Sequence, residues 1–331
     1  MKMHVRSLVI ALAMLALAWS AVAAADTIVS QLGNEGPAYE QGSTPSTLGW
    51  GPDDASYPDR CIVNPADDAE MVWVPPGSFR MGITEEERDR LWDANGWDPN
   101  WKYTVNDAQP AHEVTLPRGF WLYRHAVTNG QYARFMRETV ADDNPAPEAD
   151  QPYPKVPARV SWFDAEFYGQ WAGGEIVTEA QREWAARGPE NLLWPWGNEW
   201  DSSQCNSGHY WAGKPLNDLA THKAWIDAFP HADPNPMFGE VGSQPGNVSW
   251  CGVCDLSGRL WEWCRDWFAY DYYATSPATD PEGPATGEKR ARRGAGWSSL
   301  SHNCLPCYRS AAKPETLGNG FRLVIVPETG P

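Results

Sequence analysis

Positive charge is scarce in this chain. Lys and Arg total 26 against 43 Asp and Glu, giving a formal net charge of −17. An acidic surface repels nucleic acid phosphates and anionic lipid headgroups, which sets both aside as partners. Long apolar runs are also missing. Leu8–Trp19 is the one apolar run of note, and it falls short of the roughly 20 residues that span a bilayer. The seven histidines, at 4, 112, 125, 209, 222, 231 and 302, form no cluster. There is no phosphate-binding loop, no nucleophile elbow, no dinucleotide fingerprint and no internal repeat, so the usual nucleotide, hydrolase and solenoid readings have no support.

What is present begins with a leader. Lys2 and Arg6 precede the apolar run, and Ala21-Val22-Ala23 supplies small residues for cleavage. This predicts an export signal over residues 1–25 and a periplasmic or secreted protein. No cysteine follows the run before Cys61, which argues against a lipid anchor. Residues 26–67 are rich in Gly, Pro, Ser and Asp and lack apolar periodicity, so they are predicted to be a loose linker. Beyond them, 20 Trp beside 29 Gly and 29 Pro point to a real core with much irregular structure.

Local signals place the elements. "MVWVPPGSFRMG", Met71–Gly82, alternates like a strand entering a turn. Three capping boxes open helices: Thr128 with Gln131, Ser161 with Asp164, and Thr178 with Gln181. Phe163, Phe167, Tyr168 and Trp171 fall at helical spacing and are predicted to be core. The acidic, Trp-rich stretch 84–109 reads as a surface insertion, and "GFRLVIV", Gly320–Val326, as a buried strand. The stretch 205–246 lacks periodicity and must be held by something else, with ion binding or disulfides as candidates.

These pieces carry a resemblance. "HEVTLPRGFWLYRHAVTNGQYARF", "VPARVSWFDAEFYGQWAG", "VTEAQREWAARG", "WPWGNEW", "CDLSGRLWEWCRDW", "RRGAGW" and "GFRLV" follow one another in the order seen in formylglycine-generating enzymes, also called sulfatase-modifying factors. The resemblance spans about residues 68–327. It implies a single α+β domain, a C-type-lectin-like variant with a small twisted antiparallel sheet, little regular structure and bound calcium. Members of the family differ in chemistry. Some oxidise a sulfatase cysteine to formylglycine with O2 and a copper ion held by two cysteines. Others make a C–S bond with non-haem iron in an added helical bundle, which this chain does not have. Others mature siderophores, or have no known chemistry.

"DLSGRLWE", Asp255–Glu262, supplies two carboxylates round a turn that Gly258 permits, the oxygen-rich type of set a Ca2+ ion takes. By resemblance the carbonyls of Gly258 and Leu260 complete it, and Asn206 with the carbonyl of Ser207 belongs to a second calcium site. The competing reading is that Glu262 pairs with an arginine. Cys304 and Cys307 lie in the interval "SSLSHNCLPCYRSAAK", where the family keeps its copper-binding cysteines, but three apart instead of five. Counting from Arg293 puts Ser299 at the first active position; counting back from Ala311 puts Leu300 and Leu305 at the two. The pair reads as a disulfide staple, alone or with Cys251 or Cys254, or else as a metal or redox site. Trp261 and Arg309 match cleft positions of the family, and Trp297 sits in the adjoining turn. The expected function is oxidation of a cysteine in a protein or peptide, such as an exported sulfatase. A non-catalytic calcium-stabilised binding module and a siderophore-type maturation factor stay open.

Overall fold

All three expected capping boxes form. The Oγ of Ser161 and of Thr178 each accept the backbone N–H of the third helical residue, whose side chain reaches back. At the third, Thr128 N donates to Gln131 Oε1 at 2.9 Å. A computed structural model describes residues 61–139, 153–229 and 235–327. The leader and most of the linker lie outside the described residues.

Strand alternation organises the centre. Cys61–Val63 (β1), Glu70–Val74 (β2), Phe120–Tyr123 (β5), Leu323–Ile325 (β10) and Glu175–Ile176 (β6) form one antiparallel sheet in the order β1-β2-β5-β10-β6. Gly77–Met81 (β3) pairs with His112–Leu116 (β4), and Glu262–Trp267 (β7), Arg290–Arg293 (β8) and Ser310–Ala312 (β9) make a third small sheet. On the central sheet Val72, Val74, Phe120, Leu122 and Val324 face one core cluster. Met71, Trp73, Trp121, Tyr123, Leu323 and Ile325 face the other. Successive side chains of a strand point to opposite faces, so a sheet covered on both faces needs apolar residues at every position. The helix Glu179–Arg187 covers the first face through Ala180, Trp184, Ala185 and Ala186. Trp162–Ala172 covers the second through Trp162, Ala165, Tyr168, Trp171 and Ala172.

Three expectations are corrected. Phe163 and Phe167 are 48% and 40% exposed. Tyr168 and Trp171 are buried as expected, in a stripe with Trp162, Ala165 and Ala172, because aromatic residues occupy more than one face and only one can meet the sheet. The stretch 84–109 is no surface insertion. A fourth capping box, Thr84 with Glu87, opens the helix Glu85–Asn95, and Leu91, Trp92, Trp97, Val105 and Ala108 enter the main core. Residues 61–67 belong to the domain: β1 pairs with β2, and Asn64 Nδ2 donates to Tyr123 Oη at 2.7 Å.

Candidate functional site

Glu262 opens β7 and is buried, 2% exposed. Its Oε2 accepts from Arg182 Nε at 3.1 Å and from Arg322 Nε at 2.9 Å; its Oε1 accepts from Arg322 Nη2 at 2.7 Å. Burial pushes the carboxyl up, but the guanidiniums of Arg322 and Arg182 outweigh it and hold it below the ordinary value. Glu262 thus pairs with arginines, 80 and 60 residues away in the chain.

Asp255 sits at the other end of the same turn. Gly258 has φ +80°, and a Cβ there would stand 2.5 Å from the Asn206 carbonyl oxygen and 2.6 Å from Cys205 Sγ, so no larger residue fits. Asp255 and Arg259 flank it in the left-handed region, φ 59° and 73°, a conformation non-glycine residues adopt only when other contacts fix them. Those contacts are dense. The Arg259 guanidinium is ringed by five oxygens. Nη1 donates to the carbonyls of Phe238 at 2.7 Å and Glu240 at 2.6 Å. Nη2 donates to Ser243 Oγ at 3.0 Å, Gln244 Oε1 at 2.5 Å and Asp255 Oδ1 at 3.0 Å. Gly242 N donates to Asp255 Oδ2 at 2.6 Å. Burial raises the Asp255 carboxyl, yet Arg259 and His125 bring it down to about 2.

This chain does not fit calcium at the expected residues. Asp255 and Glu262 each face guanidinium groups, and a divalent ion would place further positive charge against them. At the second set, Asn206 Oδ1 already accepts from Trp211 Nε1 at 2.7 Å, and the Ser207 carbonyl accepts from Trp211 N at 3.2 Å. The segment 238–244 is instead fastened by Arg259. Arg259→Ala is therefore expected to lower the melting temperature and to open residues 239–244 to limited proteolysis. Unchanged melting and cleavage would show that the five contacts hold nothing.

Cys304 and Cys307 diverge. Cys304 packs with Cys205 and Ala295, under Trp196, Trp200 and Trp261. Cys307 lies in the main core with Leu305. Both are buried, at 0% and 4% exposure. Burial pushes Cys304 well above the ordinary thiol value, helped by the neighbouring Cys205 sulfur, and pushes Cys307 up to about 12. Copper(I) needs two thiolates converging on one point; these two do not fit it. All seven cysteines carry free sulfurs. In the register that puts Ser299 at the first active position, the second falls on Cys304, five residues on.

Arg309, expected to line a cleft, is buried at 2% exposure. It clasps Glu179 through Nε–Oε1 at 3.0 Å and Nη2–Oε2 at 2.8 Å, and Nη1 donates to the Asp107 carbonyl at 2.8 Å. Arg293 joins it on Glu179 Oε1 at 2.8 Å and reaches Glu183 Oε2 at 2.9 Å. Trp261 and Trp297 are half-buried. Trp297 is packed by Trp225 and Phe229, with ring centroids at 6.2 and 5.2 Å, and His222 Nε2 lies 2.9 Å from the Ser298 carbonyl oxygen. The helix Leu219–Ala228 thus rests on the 297–298 turn. A cavity of about 160 Å³ lined by Asp68, Glu70, Tyr123, His125, Thr128 and Gln131 includes none of the expected site residues.

The family model of the sulfatase-modifying factor enzyme 1-like domain matches residues 61–326. The chain belongs to this family. It is 30% identical over 291 residues to the formylglycine-generating enzyme of Thermomonospora curvata, covering 73% of this chain and 87% of that protein. It is 29% identical over 279 residues to the serine/threonine-protein kinase Pkn1 of Chlamydia trachomatis, of which it spans only 38%. Among solved structures, PvdO from Pseudomonas aeruginosa superposes with a TM-score of 0.58 at 24% identity, over 80% of this chain and 97% of that one. The C-type-lectin-like sulfatase-modifying-factor fold expected from the sequence is therefore the fold of this chain. Among the described residues no helix is long and apolar enough to cross a membrane.

Proposed function

We propose that this sulfatase-modifying-factor protein is exported and binds a protein or peptide around Trp261 and Trp297, and that it does not oxidise a cysteine through Cys304 and Cys307. One observation carries this reading: the two thiols go to different, buried packing clusters. An oxidase of the expected kind needs thiols that meet on one metal ion and remain within reach of the substrate cysteine. The helix over the 297–298 turn narrows that approach further, while the partly exposed edges of Trp261 and Trp297 offer the flat apolar contacts that anchor peptides.

The test uses the whole chain, reduced and supplied with Cu(I), and a cysteine peptide from an exported sulfatase under O2. The expected result is binding, read by tryptophan fluorescence and weakened about tenfold by Trp261→Ala, the loss of roughly 1.4 kcal/mol. No aldehyde should be trapped by a hydrazide probe. Aldehyde formation would overturn the reading, and so would the absence of any binding.

A further inference from the structure

Cys205 and Cys304 stand 99 residues apart in sequence, yet they share one buried cluster, both at 0% exposure. The Cys205 sulfur is near enough to Cys304 to raise the pKa of its thiol. The backbone holds their segments side by side: Gly208 N donates to the Ser299 carbonyl at 2.8 Å, and Asn206 bridges to Gly258 under the same turn. Each sulfur also donates to a carbonyl of its surroundings, Cys205 to Ser257 and Cys304 to Leu300, both at 3.5 Å. Neither lies against Cys307. Three tryptophans roof the pair, so water and small solutes are kept from it once the chain is folded.

We infer that Cys205 and Cys304 are a disulfide-forming pair, a covalent cross-link that ties the 205–208 segment to the 299–304 turn under oxidising conditions. The oxidant is a disulfide such as oxidised glutathione. One cysteine thiolate attacks its S–S bond, forms a mixed disulfide and releases one thiol. The second cysteine then attacks the mixed disulfide through its own sulfur and releases the other thiol. The pair gives up two protons and two electrons, and the oxidant takes the electrons. Because the attacking thiol must reach the oxidant's S–S bond and the tryptophan roof closes over the folded pair, exchange runs before the roof closes. The cross-link should form faster on refolding than in the native reduced protein. This pairing replaces the expected Cys304–Cys307 staple and leaves Cys307 as a buried thiol. It does not depend on what the protein binds.

The experiment is peptide mapping of the full chain, refolded in a glutathione redox buffer and blocked with iodoacetamide in denaturant. Trypsin leaves Cys205 as the one cysteine on residues 188–223, whereas residues 294–309 carry both Cys304 and Cys307. Fragment spectra of the second peptide, and the Cys307→Ser variant, therefore separate the two pairings. The expected product joins 188–223 to 294–309 through Cys304, lighter by two hydrogens, with Cys307 alkylated. A link between Cys304 and Cys307, or full alkylation of both Cys205 and Cys304, would overturn the inference. The unsubstituted protein gives this result without any variant having to fold. As a second reading, reductant should lower its melting temperature.

Discussion

Glu262→Ala is expected to cost about 3–5 kcal/mol of folding stability, the penalty for leaving buried guanidiniums without their counter-ion. Arg182 and Arg322 are 1% and 0% exposed and depend on Glu262 for three of their hydrogen bonds. Water cannot replace the lost carboxylate at that depth, and two positive charges would then face each other unscreened. Glu262→Gln keeps the shape and one acceptor oxygen but removes the charge, so it should fall between the parent and Glu262→Ala. Urea unfolding followed by tryptophan fluorescence measures the difference, and a cost below about 1 kcal/mol, the range of a surface ion pair, would contradict the buried network. The same experiment separates the arginine reading from the calcium one. If the carboxylates of Asp255 and Glu262 serve arginines, a strong chelator leaves the parent midpoint where it was. A midpoint lowered by chelator and restored by Ca2+ would return the site to calcium, because a ligand bound only to the folded state stabilises by mass action.

The acid limb of this network has a defined sign. Burial raises the Glu179 carboxyl, but Arg309 and Arg293 bring it down to about 2, and Asp255 lies at about 2 as well. Both therefore release protons at lower pH in the folded chain than in the unfolded one. Their contribution is complete above the ordinary carboxylate range and is lost as pH falls toward 2.

Signals that act within a few residues were readable in the sequence. A hydroxyl and a carboxylate or carboxamide three apart are enough to start a helix, and all three of the expected boxes form. The continuous apolar run of Leu323–Ile325 states that its strand is covered on both faces. Co-linear motifs placed the whole domain in its family. Partnerships across the chain were not readable. Nothing in "DLSGRLWE" says that its carboxylates meet Arg182, Arg322 and Arg259 instead of a metal ion, since acidic residues round a glycine turn serve either. The left-handed φ of Asp255 and Arg259, which brings them together across Gly258, has no local sequence mark. Nor does proximity in sequence decide a thiol's neighbour: Cys304 meets Cys205 and not Cys307, because the 301–304 turn of 3-10 helix and the extended Leu305 that follows it send the two side chains into separate clusters. For Phe163 and Phe167 the helical period was legible but its phase was not, as five aromatic residues on one short helix leave several faces equally apolar.

The last expected result concerns His302. It is 2% exposed and ringed by Trp92, Trp97, Trp101 and Tyr308, with centroids 5.5, 5.7, 5.2 and 6.2 Å away. Its Nδ1 is buried with no hydrogen-bond partner. Burial holds the imidazole neutral and pulls its pKa down to about 3, with His209 and His222 adding to the shift. In the unfolded chain the same ring takes a proton near pH 6.5. Between those values the unfolded state binds one more proton than the folded state, so stability falls as pH is lowered, at about 1.4 kcal/mol per pH unit from this group. His302→Phe keeps a ring among the four others and removes the titration. The variant should gain on the parent steadily below pH 6.5, reaching a difference of a few kcal/mol by pH 4. Subtracting the two profiles cancels the other groups that titrate there, including Asp107, which burial raises to about 6 and whose contribution runs in the opposite direction. Urea midpoints at pH 7, 6, 5 and 4 supply the comparison. Parallel profiles for parent and variant would mean that His302 takes up its proton in the folded protein as readily as in the unfolded one, and that the aromatic enclosure does not exclude charge.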